Sequence, residues 1–428
     1  MSSLGLPSTY RTVDTDLELD VQTPQTGDHA QRQNPAIRGE SQAKRYEVVC
    51  LDDPQAMEQY IPQWETLAQN AIEPNIFYEY WALLPALRLY GNPSVKVAFV
   101  LERDPNAGNR VLLIGVFPLE FAKRFRWLPL ACVHLWKHPH CYLANPLIAK
   151  GAESECWGAI FAWLKACNSC GPLFAMNTLS GDGPVLRSLL AYTFSGQVPM
   201  YVSEMYGRAM LEMGTSGEEY LRANMGGDHR RGYAKKKRRL AEKGKLEVCQ
   251  LGPDDDLEKW IADFLAVEAS GWKGKVATAM ACCETDRQFL KTISQEAFAR
   301  RRLMMLTLKL DGRAIAVHHG IFAGQGAFAL KIAYDEKLGQ YSPGLLLEIE
   351  ALHEFHKQRL CRWVDCCSAV DSVVMKRIWK QQRIITSVVC PTGKFGGRFL
   401  VAALPLGRYL WGKVRRVFAK KAINVPAT

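Results

Sequence analysis

The segment Phe328–Phe355, FALKIAYDEKLGQYSPGLLLEIEALHEF, changes its period in the middle. Phe328, Leu330, Ile332 and Tyr334 recur at every second residue, the spacing of a strand. Leu345, Leu346, Leu347, Ile349, Leu352 and Phe355 then recur at the spacing of one helix face. Between them lie Asp335, Gly339 and Tyr341-Ser342-Pro343-Gly344. The segment therefore reads as a strand, a tight turn and a helix that opens at Ser-Pro-Gly. Pro343 presets the first helical dihedral, and Ser342 is expected to cap. A glycine at that point lets a ligand approach the backbone closely. Free N–H groups and the positive end of the helix dipole suit an anion, a phosphate above all.

Working outward, residues 303–310, 314–322 and 327–334 read as three antiparallel strands, with turns at Asp311-Gly312 and Gly324-Gln325-Gly326. Asp-Gly is a strong hairpin signal. A short strand over 361–366 carries Asp365, and residues 373–379 carry Lys376 and Trp379. Upstream, residues 257–271 and 289–300 read as helices, the first running through Glu268 to Trp272-Lys273-Gly274. Residues 218–247 are densely basic, with Leu221, Met225, Tyr233 and Leu240 available to one helix face. Gly226, Gly227 and Gly232 are expected to weaken that helix before Tyr233. A solvated face or an anion-binding one, through Arg230 and Arg231, both fit this run.

The first part of the chain has the same mixed texture. Residues 57–71 and 152–166 read as helices, and residues 95–102, 110–120 and 173–177 as strands. Cys132, His134, His138, His140 and Cys141 are soft ligands in a row, but their spacing matches no zinc pattern. They are expected to line a loop facing a cleft, or to pack; no metal is expected. Cys167 and Cys170 form a lone C-x-x-C pair.

Two segments resemble a known family. Lys331-Ile332-Ala333-Tyr334-Asp335 followed by Tyr341-Ser342-Pro343-Gly344-Leu345-Leu346 looks like the CelD-type branch of the GNAT acyltransferase superfamily, kin to the Fem-like peptidoglycan transferases. Glu73-Pro74-Asn75-Ile76-Phe77-Tyr78 with Trp81, then Val116-Phe117-Pro118-Leu119, is similar to the first half of the same proteins. The likeness spans roughly residues 45–392.

The resemblance implies an α/β (α+β) protein of two GNAT-like halves, each a mixed, mostly antiparallel sheet flanked by helices. The first half, 45–210, lacks a YSPG turn and is expected to be degenerate. The second half, 211–392, would be the acyltransferase domain. Residues 1–44 are too polar to build a core and read as a disordered tail. Residues 393–428 read as a basic amphipathic tail in which Pro405 breaks or kinks the helix.

By the same resemblance, acetyl-CoA or another acyl-CoA is the co-substrate. Tyr341, Ser342, Pro343, Gly344 and Leu345 would hold its pyrophosphate, with Lys331 nearby. A base must then take the acceptor's proton, and Asp335 and Asp365 lead, with His319 and Glu268 behind. Tyr334 or Tyr341 would protonate the leaving thiolate. Trp272, Lys273, Lys376, Trp379, Arg230 and Arg231 would meet the acceptor.

The expected activity is N- or O-acyl transfer to an envelope or exopolysaccharide precursor or a small amine. A Fem-like transfer from aminoacyl-tRNA, or a non-catalytic scaffold at a membrane assembly, stays open beside it. The formal net charge of +11 points to acidic partners, with an anionic membrane surface meeting residues 395–421. Nucleic acid is not expected. Thirteen scattered cysteines and the absence of an apolar run of spanning length fit a reduced cytoplasmic chain, peripheral on a membrane at most.

Overall fold

The computed structural model describes residues 45–104, 110–126, 128–368 and 377–409. The expectations for the tail 1–44, for Lys376 and for residues 410–428 lie outside them.

The first half runs β1 (Arg45–Leu51), α1 (Pro54–Met57), α2 (Ile61–Gln69), α3 (Tyr80–Tyr90), β2 (Val95–Asp104), β3 (Arg110–Ala122), β4 (Cys132–Leu135), β5 (Leu147–Ile148), α4 (Glu153–Ala166), β6 (Leu173–Ser180), α5 (Pro184–Ser195) and β7 (Tyr201–Glu212). The second runs α6 (Gly217–Asn224), α7 (Gly227–Ala241), β8 (Leu246–Gln250), α8 (Leu257–Ser270), α9 (Trp272–Lys275), α10 (Glu284–Ala299), β9 (Leu303–Leu310), β10 (Arg313–Ala323), β11 (Gly326–Tyr334), α11 (Pro343–Gln358), β12 (Trp363–Asp365) and β13 (Gln381–Pro391).

These strands form one mixed sheet in the order β1-β2-β3-β4-β6-β13-β7-β12-β11-β10-β9-β8, with β5 paired to β3. Helices cover both faces, which is why strands such as β2 and β10 are buried along nearly their whole length and read as apolar runs rather than alternations. Two pairings are parallel, β4 with β6 and β11 with β12. The halves thus repeat one plan: an antiparallel run that ends on a parallel neighbour.

The halves do not keep separate sheets. β13 follows the second half in sequence but lies between β6 and β7. β7 closes the first half in sequence but pairs with β12 of the second. The core follows suit: Trp64, Phe77, Trp157, Phe264, Phe289 and Phe328 belong to a single buried apolar cluster.

Of three local expectations, two are corrected and one holds. The helical run breaks at Met225-Gly226 as the glycines suggest, but α7 then runs through Gly227 and Gly232, because Tyr233 and Leu240 bury against the body and tertiary packing outweighs the low propensity of glycine. Residues 397–409 are continuously helical through Pro405. The Asp311-Gly312 turn forms as expected, both residues having positive φ, +50° and +77°.

Candidate functional site

β11 leads directly into the turn before α11. Asp335 ends the strand: its Oδ1 accepts the Lys337 amide at 3.0 Å, and its Oδ2 pairs with Arg313 at 3.0 Å. A carboxylate committed this way caps the turn, so the sequence argument for Asp335 as a base gives way. Ser342 does not cap either. It sits in the left-handed region, φ +55° and ψ +51°, whereas a capping side chain needs extended backbone. Its carbonyl instead accepts from Leu345 and Leu346. Its hydroxyl accepts from Lys236 Nζ of α7 at 2.8 Å.

Pro343 has no N–H, and the Gly344 amide has no partner among the described residues. A methyl group at Gly344 would lie 2.8 Å from Cδ1 of Tyr334, so only glycine lets that ring rest over the helix start. One free amide, the helix dipole and the Lys236 ammonium therefore converge at the opening of α11. Leu345 is buried and Tyr341 half-buried behind it.

The parallel ladder between β11 and β12 is short. It pairs Gly326 with Trp363, Ala327 with Val364 and Phe328 with Asp365, and stops there. β11 continues to Tyr334 while still paired to β10 on its other side. Past Phe328, one edge of β11 is therefore open towards the α11 turn. In the same stretch the β10 register skips Leu330, pairing Ala329 with Gly320 and Lys331 with His319. This bulge turns Lys331 to the face covered by α8 and α10.

On that face a titratable cluster draws on both halves. Lys331, mostly buried, lies 3.7 Å from Glu268 Oε1, which Lys273 meets at 2.9 Å. Glu268 Oε2 accepts the Met280 amide. Burial alone would raise the Glu268 pKa, but Lys331 and Lys273 outweigh it and hold the carboxyl below the usual glutamate value. Burial lowers the pKa of Lys331, with Glu268 opposing.

Across from these, His140 Nε2 lies 3.0 Å from Asp286 Oδ1, and Tyr90 donates its hydroxyl to the same oxygen at 2.7 Å. Burial lowers the His140 pKa despite the Asp286 carboxylate, so the ring is neutral at pH 7. A neutral ring beside that carboxylate donates Nε2–H to it and keeps the Nδ1 lone pair. His140 Nδ1 has no partner among the described residues. His138 stacks on Tyr90, with ring centroids 5.4 Å apart.

The other expected site residues lie elsewhere. Asp365 is fully buried, bound by Arg208 at 2.7 Å, Arg383 at 2.9 Å and the Cys367 amide at 2.9 Å. Burial works against its ionisation, but the two guanidinium groups prevail and keep it below the ordinary aspartate range. A carboxylate so engaged ties β12 to β7 and β13, and its full burial keeps it from an acceptor's proton. His319 is fully buried against Ser294 and Phe264, its pKa pushed down to about 3 by burial and by His318. It has no route to substrate. Its neighbour His318 is equally buried on the opposite face, 2.6 Å from Glu348.

Trp379 is buried in the second half's core. Arg231 pairs with Asp228 on the surface of α7, and Arg230 is half-buried beside it. Trp272 is 58% exposed, its amide donating to Glu336 of the turn before α11. It thus stands at the rim of the cleft. Of the expected residues, the structure brings together Lys331, Glu268 and Lys273 on one side of β11, and Tyr334, Tyr341, Ser342, Pro343, Gly344 and Leu345 at its end.

Asp286 and Tyr90 are additions that the sequence did not offer, and His140 takes a role it had not been given. The His-rich loop after β4 was the available signal. It does not build a metal site: among the described residues no group of three suitable ligands exists. Cys132 and His134 meet each other, while His138 and His140 turn to Tyr90 and Asp286.

Residues 227–371 match the model of the acetyltransferase (GNAT) domain. This part of the chain is similar to a GNAT acetyltransferase domain. The matched stretch holds the open β11 edge, the α11 start, Lys236, Glu268, Lys331 and Asp286, while Tyr90 and His140 come from the preceding half.

Among solved structures, FemX shares the fold with a TM-score of 0.50 at 9% identity, over 77% of this chain and 95% of its own. A conserved protein of unknown function from Bacteroides thetaiotaomicron VPI-5482 has a TM-score of 0.48 at 11% identity, over 81% of this chain and 99% of its own. A tandem GNAT protein from the clavulanic acid biosynthesis pathway has a TM-score of 0.43 at 11% identity, over 82% of this chain and 99% of its own. No curated protein matches the chain.

Proposed function

We propose that the protein transfers an acyl group directly from an acyl-CoA to an amine or hydroxyl of a saccharide precursor or small molecule. The observation that carries this reading is the layout of β11. Its open edge and the α11 start lie towards one end of the strand, and Lys331 of the same strand lies close enough to act electrostatically on the His140–Asp286 pair.

The parts fit the three tasks of direct acyl transfer. The Gly344 amide, the α11 dipole and Lys236 suit the pyrophosphate of the donor. The unpaired peptide groups of β11 beyond Phe328 suit the amides of a pantetheine arm, as an added strand would. A strand N–H there is placed to meet the thioester oxygen. His140 takes the acceptor's proton at Nδ1, and Asp286 holds its tautomer. Lys331, with only a loose ion pair to Glu268, has N–H groups left to orient a polar acceptor. No metal enters the scheme.

The test is thermal unfolding with free CoA, acetyl-CoA and a long-chain acyl-CoA, using the full chain. A ligand at a hundredfold over its Kd adds about 2.7 kcal/mol of stability. The expected result is a rise in Tm with CoA that Lys236→Ala reduces by about tenfold in affinity. An acyl-pantetheine lacking the phosphates should bind both proteins alike. The dense basic face of α7 supports one other donor, an aminoacyl-tRNA. No shift with any CoA in a folded sample, with a shift on charged tRNA, would replace the proposal by that one.

A further inference from the structure

We propose that the helix over 397–409 docks the protein on an anionic lipid bilayer. The helix has two apolar stripes. The inner one is spent on folding: Val401 is 2% exposed and, with Leu400 and Leu404, packs on Phe125, Leu173 and Val389. Arg408 adds a hydrogen bond to the Ser203 carbonyl at 3.1 Å. The outer stripe faces mostly into water. Phe399 and Leu406 are 76% and 60% exposed, and Phe395, just before the helix, is fully exposed. Residues 399 and 406 are seven apart on the helix and so share one face, and Phe395 is exposed just ahead of it.

Large apolar side chains held this far into water have no role in the fold. Their surroundings indicate the occupant. Lys394 and Arg398 flank the stripe, and in the sequence no Asp or Glu follows Asp371 while Lys413, Arg415, Arg416 and Lys420 come after the helix. An apolar stripe bordered by cations of one sign fits the headgroup boundary of a membrane with acidic lipids. The same charge opposes pairing with a second copy, since two such faces would bring like charges together. Among the described residues no helix is long and apolar enough to cross a membrane, so the contact is with the surface.

The experiment is vesicle flotation of the full chain. One vesicle preparation is phosphatidylcholine alone, and the other is phosphatidylcholine with a quarter phosphatidylglycerol. The expected result is flotation with the mixed vesicles only, weakened by salt and reduced about tenfold or more by Phe395→Ser with Phe399→Ser. Those exposed positions leave the thermal midpoint unchanged, so the loss is not a folding defect. Flotation with neither vesicle, or flotation insensitive to the two substitutions, would overturn the proposal. So would a dimer in sedimentation velocity that the same substitutions dissolve.

Discussion

His140 shows how one hydrogen bond sets the chemistry of a site. Its Nε2–H is bound by Asp286, burial keeps the ring uncharged, and Nδ1 is left as the basic atom. His140→Asn should lower kcat by about 100-fold or more with little change in the KM for acyl-CoA. The wild-type rate should fall as pH drops through the His140 pKa, because only the neutral ring accepts a proton. That limb should lie below the ordinary histidine value of 6.5, the direction burial imposes. Asp286 works against burial by favouring the imidazolium, so Asp286→Asn should move the limb to still lower pH while slowing kcat. A pH–rate profile of the two variants checks both statements, and an unmoved limb in Asp286→Asn would remove Asp286 from this role.

Legibility in the sequence stops at this scale for a physical reason. The His140–Asp286 contact spans 146 residues and exists only once the two halves dock. Gly344 was legible because the need for glycine is local. Asp335 and Asp365 misled because a carboxylate at a strand end looks the same in sequence whether it faces substrate or two arginines.

At the scale of elements, the strand-turn-helix from β11 to α11 was legible, since a change of period needs no knowledge of the rest of the chain. β7, β8 and β13 were not read as strands. Among these, β7 and β13 lie in the middle of the sheet and take their partners from distant segments. The bulge at Leu330 was equally hidden, although it decides which way Lys331 points.

β10 carries a prediction of its own. In His319, sealed beneath α8 and α10, burial pushes the pKa down from the ordinary histidine value of 6.5 to about 3, and it does the same to His138 beside Tyr90. Both values are depressed, so the unfolded chain takes up these protons first as pH falls. Stability is complete above pH 6.5 and is lost between there and about 3. At pH 5 the two together should cost about 4 kcal/mol. Denaturant midpoints at pH 7 and pH 5 measure this, and His319→Gln, which keeps a partner for Ser294, should flatten the slope. An equal slope in that variant would mean that His319 is not held neutral.

For the whole molecule, the junction of the halves rests on Asp365 between Arg208 and Arg383, all three buried. Asp365→Ala would strand two guanidinium groups without a counter-charge. It should cost about 3–5 kcal/mol in equilibrium unfolding, far above a surface substitution. A loss under 1 kcal/mol would show that water or rearrangement can take the place of the carboxylate. The pair Glu79–Arg302, bidentate at 2.5 and 2.6 Å, and the Phe77–Phe328 contact bind the same junction. In the sequence the Asn75-Ile76-Phe77 signature marked this place. The structure gives its meaning: Asn75 holds the loop at Leu143 and Asn145, and Phe77 packs on β11.

The central position of β13 also bears on the birth of the protein. As the chain leaves the ribosome, β6 and β7 emerge about two hundred residues before the strand that separates them. Until Pro391 has emerged, both offer bare edges to each other and to any neighbouring nascent chain. The first half therefore cannot mature on its own and wait for the second. The protein reaches its native state in one late closure, and messages cut short before Gln381 yield products with an open slot in the sheet, fit for holding by chaperones or for degradation rather than for work.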